Sequence, residues 1–173
     1  MDTKKSFSNI VMTFGILFAI IGIIFTFIKP VTADPKETST MLLGFLALFI
    51  FIGIPILAVK YYRDQGYTVG IGSAVKLGVL VGLLGGLILG IYSYIYFAYI
   101  NPDAVDQVLE ISKKVLEENE MFDPEAMEEQ MEMTKKMFVP MQFIGNLISG
   151  LIYGVIGGLL GGLFFRTPQE DEY

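Results

Sequence analysis

Residues 77–102 read LGVLVGLLGGLILGIYSYIYFAYINP, twenty-six residues without an Asp, Glu, Lys or Arg. At about 1.5 Å of rise per residue, the run outlasts the roughly 30 Å of hydrocarbon in a bilayer. Lipid offers the backbone no water to bond with, so the run is predicted to be a helix that satisfies its own amides. Three more uncharged runs frame it: residues 6–28, 38–59 and 137–165, of 23, 22 and 29 residues. The four hold 100 of the 173 residues, and all thirty charges fall in the other 73. The predicted fold class is therefore all-α, an integral membrane four-helix bundle forming one domain over residues 1–173. Its spanning helices are expected near 6–28, 38–59, 77–100 and 141–165, with an amphipathic helical hairpin near 102–136 between the third and fourth.

Inside the quoted stretch, Gly78, Gly82, Gly86 and Gly90 stand four apart, as do Gly150, Gly154, Gly158 and Gly162 in the fourth run. A four-residue step drifts only about 40° around a helix, so each series makes a groove without side chains, in the manner of a glycine zipper. The hexapeptide of residues 82–87, GLLGGL, recurs unchanged at residues 158–163. In an antiparallel pair the two copies are expected at one depth, with close backbone contact between the third and fourth helices. Small residues at this spacing serve packing within one chain or contact between copies, and the first is favoured.

Residues 103–136 carry eleven acids against four lysines, a net charge of −7. Asn101 is expected to cap a helix whose first position is Pro102, with Asp103 in the first turn. Val105, Val108, Leu109, Val115 and Leu116 then recur as an apolar stripe. Asp123-Pro124-Glu125 repeats the start signal, and Met127, Met131, Thr134 and Phe138 continue one face toward the fourth span. The stripes are expected to rest on each other or on the membrane surface, with the acids toward water. Six of the nine methionines lie between residues 121 and 141. Thioethers ligate Cu(I), but Met is also an ordinary helix former and gap filler, and that reading is preferred here.

The residue types that are missing exclude much chemistry. Without His or Cys there is no imidazole base, Ser-His-Asp triad, thiol nucleophile, disulfide or thiolate metal site. A formal charge of −6 argues against nucleic acid. No cofactor and no metal site is expected. The first run follows Lys4 and Lys5, yet its 23 residues exceed the roughly 7–15 of a secretory signal core, so it is expected to be retained. Six cations flank each side of the bundle in either orientation. Because Lys113 and Lys114 lie far from any span and among acids, the positive-inside rule favours both termini and residues 60–76 in the cytoplasm. Thr68-Val69-Gly70-Ile71-Gly72 is similar to a potassium-channel filter, but no pore helix precedes it, and a glycine-rich turn is expected. Tyr61, Tyr62 and Tyr67 at one end, and Tyr92, Tyr94, Tyr96, Phe97 and Tyr99 at the other, are expected interface anchors.

Polar groups at membrane depth are few. Gln142, Asn146, Ser149 and Tyr153 fall on one face of the fourth helix, where they serve interhelical hydrogen bonds or line a path for a solute. No Asp, Glu or His lies in any uncharged run to act as a proton relay.

These features together resemble a family. Four spans, the aromatic end of residues 94–103 (YIYFAYINPD), an acidic helical connection and the turn leading to Lys76-Leu77-Gly78 are similar to the bacterial membrane proteins grouped as domain of unknown function 4199. Family members often carry a Gly-Met-Ser-like turn midway through the connection, where this chain reads Glu120-Met121-Phe122-Asp123. The resemblance implies the four-span architecture and a bacterial inner-membrane location, and it carries over no catalytic or binding residue. The expected function is a non-enzymatic interaction or structural role in the lipid bilayer. The acidic extracytoplasmic hairpin, through Glu117, Glu118, Glu128 and Glu129, is expected to contact a protein partner or a lipid surface; homo-oligomers are a further expectation. The alternative is an oligomeric channel or small-solute carrier using Gln142, Asn146, Ser149 and Tyr153.

Overall fold

The computed structural model describes residues 6–28, 38–117 and 124–167, with residues 115–117 and 124–130 described by their backbone path alone. Five helices are present among them: α1 (Phe7–Ile28), α2 (Thr38–Asp64), α3 (Ile71–Ile95), α4 (Asp103–Glu117) and α5 (Pro124–Phe165). Four segments are long and apolar enough to cross a bilayer: α1, α2, residues Ile71–Ile100 and residues Met131–Phe165. The chain is an all-helical membrane bundle. Its outward faces carry large apolar side chains, with Phe49 and Phe164 each 70% exposed, a surface suited to lipid and not to water.

The helices outrun the uncharged stretches. α2 continues past Val59 through Lys60 and Arg63 to Asp64, and α3 starts at Ile71, before Lys76, because charge ends the apolar run without ending the helix. Ser73 sets the start of α3: its Oγ accepts from the Gly70 N–H at 3.0 Å and donates to the Gly70 carbonyl at 2.9 Å. The fourth span is not a separate helix. α5 runs 42 residues from the hairpin to Phe165 with Pro140 inside it. Pro140 has no N–H to give, so the Lys136 carbonyl loses its helical donor at the level of Lys135 and Lys136.

α3 and α5 lie antiparallel at the centre. A Cβ built on Gly82 would strike the Gly150 carbonyl oxygen, and one on Gly78 the Gly154 oxygen. Further along the seam, a Cβ on Gly86 would stand 2.6 Å from the Asn146 oxygen, and one on Gly158 2.8 Å from the Ala74 oxygen. Gly162 meets Ala74 and Ile71, and Gly90 meets Phe143. This register corrects the expected alignment of the two hexapeptides. Residues 82–87 lie opposite 145–150, about thirteen residues or roughly 20 Å along α5 from residues 158–163. The copies do different work on their other faces as well. Gly85 admits the Phe18 ring of α1, while Gly161 admits Val59 of α2 and Gly157 admits Pro55. Gly15 and Gly22 of α1, outside both four-residue series, seat Leu84 and Leu89 of α3. Thus α1 packs on α3, α2 packs on α5, and Ile10, Phe18, Ala58, Val59, Leu77 and Val81 fill the core between them.

At the end of the bundle bearing the α2–α3 turn, Gly66 takes a positive φ of 78°. Val69 is fully buried, its N–H donating to Thr167 Oγ1 at 2.9 Å and its carbonyl accepting from the Thr167 N–H at 3.0 Å. The Val69 carbonyl is therefore occupied by the chain itself, as befits a turn.

Candidate functional site

The opposite end carries the hairpin and a cleft beneath it. α3 leaves the spanning region through a π-helical turn, Tyr96–Ile100, in which the Asn101 N–H reaches back five residues to the Tyr96 carbonyl at 2.8 Å. Pro102 holds Asn101 out of the helical region, at φ −139° and ψ 67°. Asn101 does not cap α4 in the way expected. Its side-chain amide donates to Tyr96 Oη at 3.1 Å, and its main-chain carbonyl receives the Ala104 N–H at 3.3 Å. The wide turn swings Phe97 under the hairpin, where its ring meets Phe138 edge-on at 5.2 Å and 87°.

Ala104, Val105 and Leu109 of α4 close over Phe97 and Phe138, with Val108 and Met131 half-buried beside them. The apolar stripes thus rest on each other. A cross-hairpin ion pair, Lys135 to Asp106 at 2.5 Å, links α5 to α4 on the exposed side of this contact. Lys114 pairs with Glu110 at 3.0 Å and Lys136 with Glu132 at 3.6 Å. All four lysines of residues 103–136 lie outside residues 115–134, whereas residues 117–129 hold seven acids and no cation. Along the sequence, charge is therefore segregated, with the lysines near the two ends of the connection and the acids without a cation among them in its middle. Of the glutamates singled out for partner contact, Glu117, Glu128 and Glu129 are described by backbone alone, and Glu118 lies outside the described residues. Val115, Leu116 and Met127 likewise have no described side chains, and Met133, Met137 and Met141 point outward.

Below the hairpin lies a cleft of about 270 Å³ walled by all four spans. The polar face of α5 divides around it. Gln142 and Asn146 line the cleft. Ser149 is exposed, and the half-buried Tyr153 instead stacks on Phe51 at 5.7 Å and 12°. Seen from the close contact at Gly150, Asn146 and Tyr153 sit about 40° and 60° round the helix and Ser149 about 100°, far enough to face outward. Asn146 Nδ2 donates to Ser93 Oγ at 3.0 Å and to the Gln142 main-chain carbonyl at 2.8 Å. Thr26 adds a further hydroxyl, donating to the Gly22 carbonyl at 3.1 Å. Ser93 and Thr26 went unread as site residues. Ser93 is the one polar residue other than tyrosine in residues 77–100, and it shares an end with Asn146 in any antiparallel pairing.

A family model described as "Protein of unknown function (DUF4199)" matches residues 13–167. The chain belongs to this family. The DUF4199 match takes in the α3–α5 seam, the hairpin and the cleft together. No curated protein and no solved structure matches the chain.

Proposed function

We propose that this DUF4199 protein is a non-enzymatic docking protein, whose acidic hairpin engages a basic segment of a partner protein. One observation carries the reading: the hairpin is clamped to the bundle by Phe97, Leu109 and Phe138, and its lysines pair near that base. The seven acids of residues 117–129 follow directly on this anchored base in the sequence. A fixed negative field of this kind supplies orientation and association rate to a basic partner. The site is proposed to face the extracytoplasmic side of a bacterial inner membrane, with both termini cytoplasmic, on the distribution of cations. The absence of His and Cys from the sequence supports a role without covalent or acid–base chemistry. Replacing Glu117, Glu118, Glu128 and Glu129 by Gln tests the proposal: partners cross-linked to the wild-type protein in native membranes should be lost with the variant and at high salt. Recovery of the same partners by the variant would end it.

An oligomeric channel or small-solute carrier is the second reading, favoured by the polar lining at Gln142 and Asn146. Against a conduit through one copy stands the packing of Phe51, which lines the cleft, against the Phe18 and Tyr153 rings behind it. The glycine faces of α3 and α5 are turned toward each other, so a second copy would need another surface. Flux from liposomes separates the readings, since docking alone releases no solute.

A further inference from the structure

The cleft under the hairpin combines hydrogen-bonding groups with apolar walls at membrane depth, and the docking role makes no use of it. Its volume of about 270 Å³ lies near the lower end, roughly 300 Å³, of small-molecule sites. No residue lining it is ionisable. A charged guest would meet no counter-charge there, and an unpaired charge in so apolar a place is strongly disfavoured.

The hydrogen-bonding inventory narrows the guest further. Asn146 donates twice from Nδ2, to Ser93 and to the Gln142 main chain, so its Oδ1 is the group left to accept. Gln142 is half-buried, and its carboxamide, two N–H donors and one carbonyl, bonds to none of the described residues. The Thr26 hydroxyl gives its proton to the Gly22 carbonyl and keeps lone pairs free. Phe25, Phe51 and Leu89 supply the apolar wall. Donor and acceptor stand close together in a greasy recess, which is the arrangement that recognises a neutral polar group.

We infer that the cleft binds an uncharged group bearing hydroxyl or carbonyl oxygens, with Gln142 donating to it and Asn146 accepting from it. Such a group belongs either to a neutral lipid or to a free polyol, and the chemistry required is shared. The inference rests on the cleft alone and stands whether or not the acidic hairpin docks a partner.

Thermal melting of the purified full chain in detergent micelles tests it with three probes: dioleoylglycerol, free glycerol, and dioleoylphosphatidic acid, which carries a phosphate in place of the hydroxyl. Two variants accompany the wild type. Gln142→Leu removes the free carboxamide but keeps the main-chain carbonyl that Asn146 uses. Ala47→Leu fills the cleft without touching a polar group. A neutral probe should raise the melting temperature of the wild type in a saturable way, with apparent affinity about tenfold weaker or worse in both variants. Action by dioleoylglycerol alone identifies a lipid guest, and variant-sensitive action by glycerol identifies a free one. If no neutral probe distinguishes the wild type from the variants, or phosphatidic acid stabilises as well as dioleoylglycerol, the inference is wrong. Should Gln142→Leu fail to fold, Ala47→Leu decides alone.

Discussion

The backbone of Gly82 lies so close against the carbonyl oxygen of Gly150 that neither position has room for one methyl group. Gly82→Ala and Gly150→Ala should each destabilise the bundle by about 1–3 kcal/mol, since the obstacle is backbone and cannot rotate away. Gly53→Ala, where a Cβ would meet nothing within 4 Å, is the control. Detergent melting measures all three, and equal tolerance would show that α3 and α5 do not pack on these faces.

The link between Asn146 and Ser93 predicts a coupled pair. Asn146→Leu and Ser93→Ala should each lower stability by about 0.6 kcal/mol, and the double variant should cost less than their sum. Gln142→Leu should leave the melting temperature nearly unchanged without ligand. A double-mutant cycle provides the check.

The docking of α4 rests on few side chains, so Phe138→Ala should release it. A buried Phe→Ala change costs about 3–5 kcal/mol. Here the loss should appear locally, as faster amide hydrogen exchange across α4 with protection in α3 unchanged. If α3 loosens to the same degree, hairpin and bundle form one cooperative unit.

Much of this was legible in advance, and the exceptions have physical causes. Four uncharged runs announce four spans, because lipid penalises charge over that length wherever it falls. Helix ends were harder to place: Lys60, Arg63 and Lys76 end the apolar runs but are good helix residues, so α2 and α3 carry on through them. Pro140 lies inside α5 without ending it, so the fourth span and the hairpin arm are one continuous helix. Four-residue spacing names the glycine faces but not their register, which depends on Phe18, Pro55 and Val59 filling the glycines on the outer sides. The same limit applies to the polar face of α5, where periodicity groups Ser149 with Asn146 and only the neighbouring helices separate them.

The proposed orientation rests on the placement of the cations and is open to direct test, since no native Cys interferes. A cysteine at Gln107, exposed on α4, should react with an impermeant maleimide in intact cells, and one at Gly66 only after lysis. The reverse pattern would turn the molecule over and place the hairpin in the cytoplasm.

The most direct measurement of the docking claim is the association rate of the reconstituted protein with its cross-linked partner, followed across salt concentration. The wild type and the variant with Glu117, Glu118, Glu128 and Glu129 changed to Gln are compared. The account predicts a rate that falls steeply with salt for the wild type, and a variant rate roughly tenfold lower at low salt and nearly flat thereafter. Equal rates with equal salt dependence would contradict it and remove the acidic hairpin from recognition.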